Sequence, residues 1–375
     1  MITEVLGFSL ILPFLPLYAQ EMGATPLMIG LLITSFSLFQ FISAPIMGEL
    51  SDRYGRRPLL IISQISTTIS FIILGLSNQL WMLYLSRIVD GLLGSNATIA
   101  QAYIGDITDK KDRSKAFGIT GVAFGIGFMI GPAIGGWLSR FGYSVPAFLA
   151  AAISLSSIIL TYLFLPETVE KSGQTKSFSV QIIDFKRLTR YFAQDKIRLQ
   201  LIEYSFYVLA HSLWAGNFSL YADMLFSIDP GQIGFALAYV GGINIIIRGL
   251  LIPKLINWFG EARLEKMGVV SLLIGLIGAS IVSSWSGLLF IITFFALGSG
   301  MLRPLMMGDI SRSADENEQG AIMGVTSSLN SVSQIFGPVI GGLMLTHLFP
   351  QSIMILGSAL IFVSGVLIFG EKKNY

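Results

Sequence analysis

The 375-residue chain has no cysteine and only two histidines. The first absence excludes disulfides and thiolate metal sites, and the second leaves too few imidazoles for a metal centre. No metal and no cofactor is expected. Charged residues are scarce, at 12% of the chain against about 25% in soluble domains. No G-x-x-x-x-G-K-[ST] loop occurs, so nothing points to direct use of ATP. Gly121-x-x-x-Gly125-x-Gly127 sits in apolar sequence and reads as helix packing, not dinucleotide binding. There is no nucleophile–base constellation, so an enzyme is not expected. The first apolar run has no basic leader, and Met1 stands almost inside it, so no cleaved signal peptide is read there. A net charge of +2 implies no nucleic-acid partner.

What the chain does have is apolar sequence: 53% of its residues are hydrophobic, and the mean hydropathy is +0.72. Apolar runs long enough to cross a bilayer recur throughout. The expected fold is an all-α polytopic membrane protein of twelve transmembrane helices. The spans are read at about 2–20, 27–50, 58–77, 80–104, 115–138, 144–165, 198–222, 231–253, 264–283, 286–309, 319–346 and 351–369. With the N-terminus inside, every Lys and Arg except Arg87, Arg140, Arg248 and Arg303 falls on the cytoplasmic side or its flanks. That asymmetry places both termini in the cytoplasm by the positive-inside rule.

The halves repeat. Gly105-Asp106-Ile107 returns as Gly308-Asp309-Ile310, and Gly131-Pro132-x-x-Gly135-Gly136 returns as Gly337-Pro338-x-x-Gly341-Gly342. A faded copy of the loop at 48–60 stands at Leu255-Ile256-Asn257-Trp258-Phe259-Gly260. Nearly one offset joins all three, which implies two pseudo-symmetric six-helix bundles, 1–165 and 198–375, around a linker at 166–197. A transporter built from such repeats has its site near the membrane midplane. In the linker, Phe178, Ile182, Phe185, Leu188 and Phe192 recur at helical spacing among basic residues. That spacing predicts an amphipathic helix on the membrane surface, although a plain basic linker explains the composition equally.

Several segments carry candidate chemistry. The loop Gly48-Glu49-Leu50-Ser51-Asp52-Arg53-Tyr54-Gly55-Arg56-Arg57-Pro58 concentrates charge between two spans, where Asp52 can cap a helix start on the same side. Setting topology is the simpler role for it. Within span 4, Arg87, Asp90 and Asn96 are polar where polarity is expensive. Arg87 and Asp90, three apart, can pair on one face, either as a structural ion pair or as part of a transport site. Glu4 in span 1 is a second intramembrane acid. By helical rise it lies ~12 Å from the depth of Arg87, so water, Asp90 or substrate must link them. Gly127, Gly131 and Gly135 form one bare stripe for close helix approach, with Pro132 bending the helix and Gly136 beside it. In the second half Glu203, Arg248 and Arg303 sit at similar depth, as a structural or gating cluster. Trp214, Asn217, Asn244, Asn330 and Gln334 are candidate cavity residues, and His211 is a candidate proton carrier.

The pattern G-x-L-S-D-R-x-G-R-R-P at Gly48–Pro58 resembles the signature loop of the major facilitator superfamily of transporters. Arg87 and Gly91 resemble its R-x-x-x-G pattern. The span 5 motif resembles that of the drug:proton antiporter branch, and Glu4, Pro13 and Pro16 resemble the opening of tetracycline exporters, with Glu where those have Asp. The resemblance implies alternating access, with Asp52 latching the loop to the start of helix 11 and the basic residues Arg53, Arg56 and Arg57 pairing Asp106. It implies a proton-coupled exporter of small amphipathic or drug-like compounds, acting as a monomer in the bilayer. Glu4 or Asp90 would carry the proton, and Arg87 would keep that acid able to reionise. A proton-coupled symporter importing a metabolite and a non-transporting membrane receptor are the alternatives.

Overall fold

The computed structural model describes residues 2–109, 112–169, 185–315 and 318–370. Sixteen α-helices follow in chain order: α1 Ile2–Ile11, α2 Leu15–Glu21, α3 Pro26–Tyr54, α4 Arg56–Gly75, α5 Leu80–Leu93, α6 Asn96–Ile107, α7 Arg113–Leu138, α8 Ser144–Phe164, α9 Phe185–Phe192, α10 Asp195–Phe226, α11 Pro230–Ile246, α12 Ile252–Phe259, α13 Glu261–Ile281, α14 Trp285–Ser313, α15 Gln319–His347 and α16 Ser352–Gly370. Among the described residues, nine helical stretches are long and apolar enough to cross a membrane. Three further stretches fall outside that set: α5 with α6, α10, and α15. The membrane-protein class holds, while the count of twelve rests on these three more polar stretches.

Helix α4 shows how this surface is built. Ser63, Gln64, Ser66, Thr67, Thr68 and Ser70 are buried, and Ile62, Ile65, Ile69 and Ile72 are exposed. An apolar exterior over a polar interior suits lipid, since each polar group then finds a partner inside the bundle. Thr68 donates to the Gln64 carbonyl, Ser66 to the Val89 carbonyl and Ser70 to the Ser86 carbonyl.

The structure differs from the sequence reading at several boundaries. The loop expected at 51–57 is a single residue: α3 runs to Tyr54, α4 starts at Arg56, and Gly55 turns the chain with φ +106°. Its repeat at Gly260, with φ +73°, joins α12 to α13 in the same way and replaces the loop expected at 254–263. A positive φ is open to glycine at little cost, which explains one-residue joints. Span 1 breaks at Pro13 into α1 and α2. Span 4 breaks at Gly94–Ser95, where poor helix formers meet and the Gly94 N–H returns to the Asp90 carbonyl at 2.6 Å. Span 8 passes through a π-helical turn at Ile247–Leu251 that holds Arg248. Of the linker, a helix is seen at Phe185–Phe192; Phe178 and Ile182 lie outside the described residues.

The chain divides into two compact units. The first holds Met1–Ala24, Leu32–Ile182 and Asp229–Ala238; the second holds Thr25–Leu31, Ile183–Ile228 and Tyr239–Tyr375. In the first, Leu10, Phe14, Phe71, Leu74, Leu83 and Ile99 are buried. In the second, Tyr204, Tyr207, Phe218, Leu272, Phe295 and Ile322 are buried. The repeat is visible in packing. A Cβ added at Gly127 would lie 2.6 Å from Val5 Cγ1, and Cβ atoms at Gly131 and Gly135 would collide with Ser9 and Leu10 of α1. In the second unit, Gly337 and Gly341 of α15 press equally close on Ser212, Leu213 and Asn217 of α10.

Candidate functional site

Glu4, Asn96, Asp90 and Arg87 of the first unit are joined by a chain of hydrogen bonds that ends in an ion pair. Asn96, the first residue of α6, donates from Nδ2 to Glu4 Oε2 at 2.8 Å and to Thr67 Oγ1 at 2.9 Å. Thr67 in turn donates to Asp90 Oδ1 at 2.8 Å. Asp90 Oδ2 faces Arg87 Nη1 at 3.6 Å, and Arg87 Nη2 donates to Ser70 Oγ at 2.9 Å. The Arg87 guanidinium also lies 5.8 Å from the Phe71 ring and 6.0 Å from the Phe36 ring, within cation–π range. Arg87, Asp90 and Asn96 are buried, and Glu4 is half-buried.

The helix break makes this chain. Gly94 and Ser95 interrupt the helix, so Asn96 starts a new one and its side chain reaches across to α1. A Cβ at position 94 would run into the Asp90 carboxylate. The gap in depth between Glu4 and Arg87 is therefore bridged by Asn96, Thr67 and Asp90. The two acids differ in their neighbours. Asp90 faces a cation, whereas Glu4 Oε2 accepts from a neutral amide, and Glu4 Oε1 is buried beside Ser157 and Gln64.

At the basic end of the same unit, Arg56 is the hub. Its Nε donates to Asp106 Oδ2 at 2.8 Å, its Nη1 to Ser51 Oγ at 2.7 Å, and its Nη2 pairs with Asp52. Arg57 stacks 5.2 Å over Tyr162, and Arg53 lies 5.6 Å from the Tyr54 ring. Gly48 faces Thr98 of α6 at ordinary contact distance. Asp52 is otherwise exposed, with 61% of its side chain accessible, so it keeps a free face for another partner. The sequence reading missed Glu167. Its carboxylate accepts backbone N–H groups from Arg56 at 2.9 Å, Arg57 at 3.2 Å, Thr168 at 2.9 Å and Val169 at 3.1 Å. An acid there caps the start of α4. A Cβ on Gly55 would collide with it, so that glycine is required for space as well as for φ. Partial burial raises the Glu167 carboxyl, and the backbone donors outweigh it, leaving the group below its ordinary value.

The second unit carries a counterpart with one charge reversed. Glu261 stands where Arg56 stands in the first repeat, and Arg312 bridges it to Asp309, the repeat of Asp106. A cavity of about 470 Å³ is lined by Phe259, Gly260, Glu261, Ala262, Arg263 and Arg312. It is the open mouth of this ion cluster.

The remaining candidates are placed as follows. Asn217 is buried and donates to the Leu213 carbonyl at 2.9 Å and the Gly337 carbonyl at 3.4 Å, as Ser9 donates to the Gly127 carbonyl at 2.8 Å. It serves the α10–α15 contact. Trp214 is buried and stacks on Phe295 with centroids 4.0 Å apart, and His211 lies 6.0 Å from Phe295. Arg248 donates to the Ser299 carbonyl at 3.1 Å, and Arg303 lies against the Tyr204 hydroxyl. Glu203 is buried, and the structure adds a second buried acid, Glu265 in α13, which the sequence reading missed. Asn330 is half-buried on α15, and Gln334 is exposed. Pro132 presses its carbonyl close to Gly234, and Gly136 meets Pro230 and Gly234 within the first unit. No cluster of three or more metal-ligating side chains occurs among the described residues.

Apolar helices that keep their polar groups on buried faces define a polytopic membrane protein. The chain belongs to the Major Facilitator Superfamily, whose family model matches residues 1–338 and 265–374. It is a transporter, not an enzyme. It is 31% identical to Multidrug resistance protein 2 of Bacillus subtilis (strain 168), over 98% of this chain and 93% of that one. It is 30% identical to the class H tetracycline resistance protein of Pasteurella multocida, over 90% of this chain and 85% of that one. Among solved structures, the human organic anion transporter MFSD10 superposes with TM-score 0.72 at 21% identity, covering 98% of this chain and 96% of that one. A D-xylose-proton symporter superposes with TM-score 0.78 at 14% identity, covering 98% and 95%. At those identities the structures establish the fold.

Proposed function

We propose that the chain is a proton-coupled exporter of small amphipathic compounds, working by alternating access across twelve helices with both termini in the cytoplasm. The observation that carries this reading is the buried relay from Glu4 through Asn96 and Thr67 to Asp90 and Arg87. Arg87 compensates the charge on Asp90. Glu4 has an amide on one oxygen and the neutral side chains of Ser157 and Gln64 beside the other, so it is the position where a proton enters. Protonation cancels its charge and weakens the Asn96 bond, and the change passes along the chain to the Arg87 pair. Release of that proton on the other side restores the bond. Similarity to proteins named for multidrug and tetracycline resistance supports export over import. Arg56, Asp52 and Asp106 form the gating set in this reading, since they tie the ends of α3, α4 and α6 together.

The test is Glu4→Gln and Asp90→Asn, each in proteoliposomes with an imposed pH gradient. Glu4→Gln should abolish pH-driven exchange and leave downhill movement of the same compound measurable. Full pH-driven transport in both variants would remove the proton role from these acids.

A further inference from the structure

The second unit holds two guanidiniums that the relay above does not use. Arg248 projects from the π-helical turn between α11 and α12, and Arg303 from the middle of α14, one residue before Pro304. Charges at such depth are expensive and are retained for a partner. Among the described residues, ion pairs of this unit are seen elsewhere: Arg312 takes Glu261 and Asp309, Arg190 takes Glu318, and Arg198 takes Asp195. Among the described residues, the partners of Arg248 and Arg303 are neutral. They are the Ser299 carbonyl and the Tyr204 and Tyr207 hydroxyls, with His211 within electrostatic reach of both. The two arginines also repel one another. Arg248 is exposed, and Arg303 and His211 are half-buried, so the cluster opens outward. Its floor is apolar: Trp214, Phe218 and Phe295 are buried, with Trp214 4.8 Å from Phe218.

We infer that Arg248 and Arg303 form a binding site for an organic anion, a carboxylate, sulfonate or phosphate carried on an apolar body. The anionic head supplies the charge that the protein withholds, and a guanidinium fork suits such heads. The apolar body lies along the aromatic floor. A π-helical turn is a common device at functional positions, and here it aims Arg248 toward α10 and α14. The inference rests on the transport reading for the fate of the bound anion, and on the geometry of this cluster for the binding itself.

Equilibrium dialysis of the full chain in neutral detergent tests it, using 1-naphthoate and 1-naphthylmethylammonium, which differ in head charge on one ring. The wild type should bind naphthoate at least about tenfold more tightly. Arg248→Gln and Arg303→Gln should each weaken naphthoate by about ten- to a hundredfold, the scale of a lost charged hydrogen bond, and leave the ammonium probe unchanged. Arg248→Lys should retain part of the preference. Equal binding of the two probes by wild type overturns the inference without recourse to any variant. So does naphthoate binding that survives both substitutions, which would leave the arginines as gating or structural groups. A third arm adds phosphatidylglycerol: displacement of naphthoate at stoichiometric lipid assigns the site to a lipid headgroup and overturns the substrate role. None of these measurements uses a proton gradient, so failure here and failure of Glu4→Gln are separate results.

Discussion

Asn96→Ala removes the donor that joins Glu4 to Thr67. Both bonds come from one amide nitrogen, at 2.8 Å and 2.9 Å; the one to Thr67 is buried and the one to Glu4 is partly buried. Leaving a buried acceptor without its donor costs about 1–3 kcal/mol. Because the lost bond supports the ionised Glu4 more than the protonated one, that cost falls on one half of the cycle. Converted at about 1.4 kcal/mol per factor of ten, pH-driven exchange should fall by roughly five- to 150-fold. The assay is exchange in proteoliposomes over a range of imposed gradients, with protein amount and monodispersity matched. Thr67→Val cuts the next link and should act in the same direction. In one chain of hydrogen bonds the double variant should lose less than the product of the two single losses, since either cut already interrupts it. Wild-type exchange in Asn96→Ala, or strictly multiplicative losses, would refute the relay.

Gly131→Leu should destabilise the first unit by about 1–3 kcal/mol or more through overpacking, because Ser9 and the Leu10 backbone fill the space its side chain needs; thermal unfolding in detergent measures it, and unchanged stability with normal transport would contradict the α1–α7 contact. Glu167→Gln should cost about 1 kcal/mol or less, given the exposed position. Since the carboxyl is held below its ordinary value of 4.5, the wild type's advantage should be present above that pH and be lost as pH falls below it; an advantage unchanged through this window would contradict the cap. Asp52→Asn should leave folding and substrate binding near wild type, because Asp52 is exposed and Arg56 keeps Asp106 and Ser51, and should slow transport. Equal loss of binding and transport would contradict a gating role for Asp52.

Local pattern carried much of this structure. Spaced glycines on α7 and α15 do meet neighbouring helices closely, because a bare stripe has few other uses in lipid. The Arg56–Asp106 pair was implied by the resemblance of the Gly48–Pro58 loop to a family signature, not by local pattern. Contacts set by long sequence separation were not. Glu167 lies 111 residues from Arg56, and nothing local marks it as the cap of α4. Thr67 was passed over because a hydroxyl in an apolar span is ordinary, although Ser63, Ser66, Thr67 and Ser70 trace one polar face of α4 at helical spacing and signal a buried partner. Asn217 had the composition of a cavity residue, yet its amide went to the Gly337 carbonyl, since a close glycine contact leaves that carbonyl within reach. The break at Gly94–Ser95 was hidden inside an otherwise continuous span, and it is what brings Asn96 to Glu4.

The most direct test of proton coupling at this relay is the proton itself. Proteoliposomes with an entrapped pH dye are given a downhill gradient of a transported compound and no initial pH difference. The wild type should move protons against the compound's direction, and Glu4→Gln should move the compound with no proton signal. Proton movement in Glu4→Gln equal to wild type, or none in wild type during transport, would contradict the account.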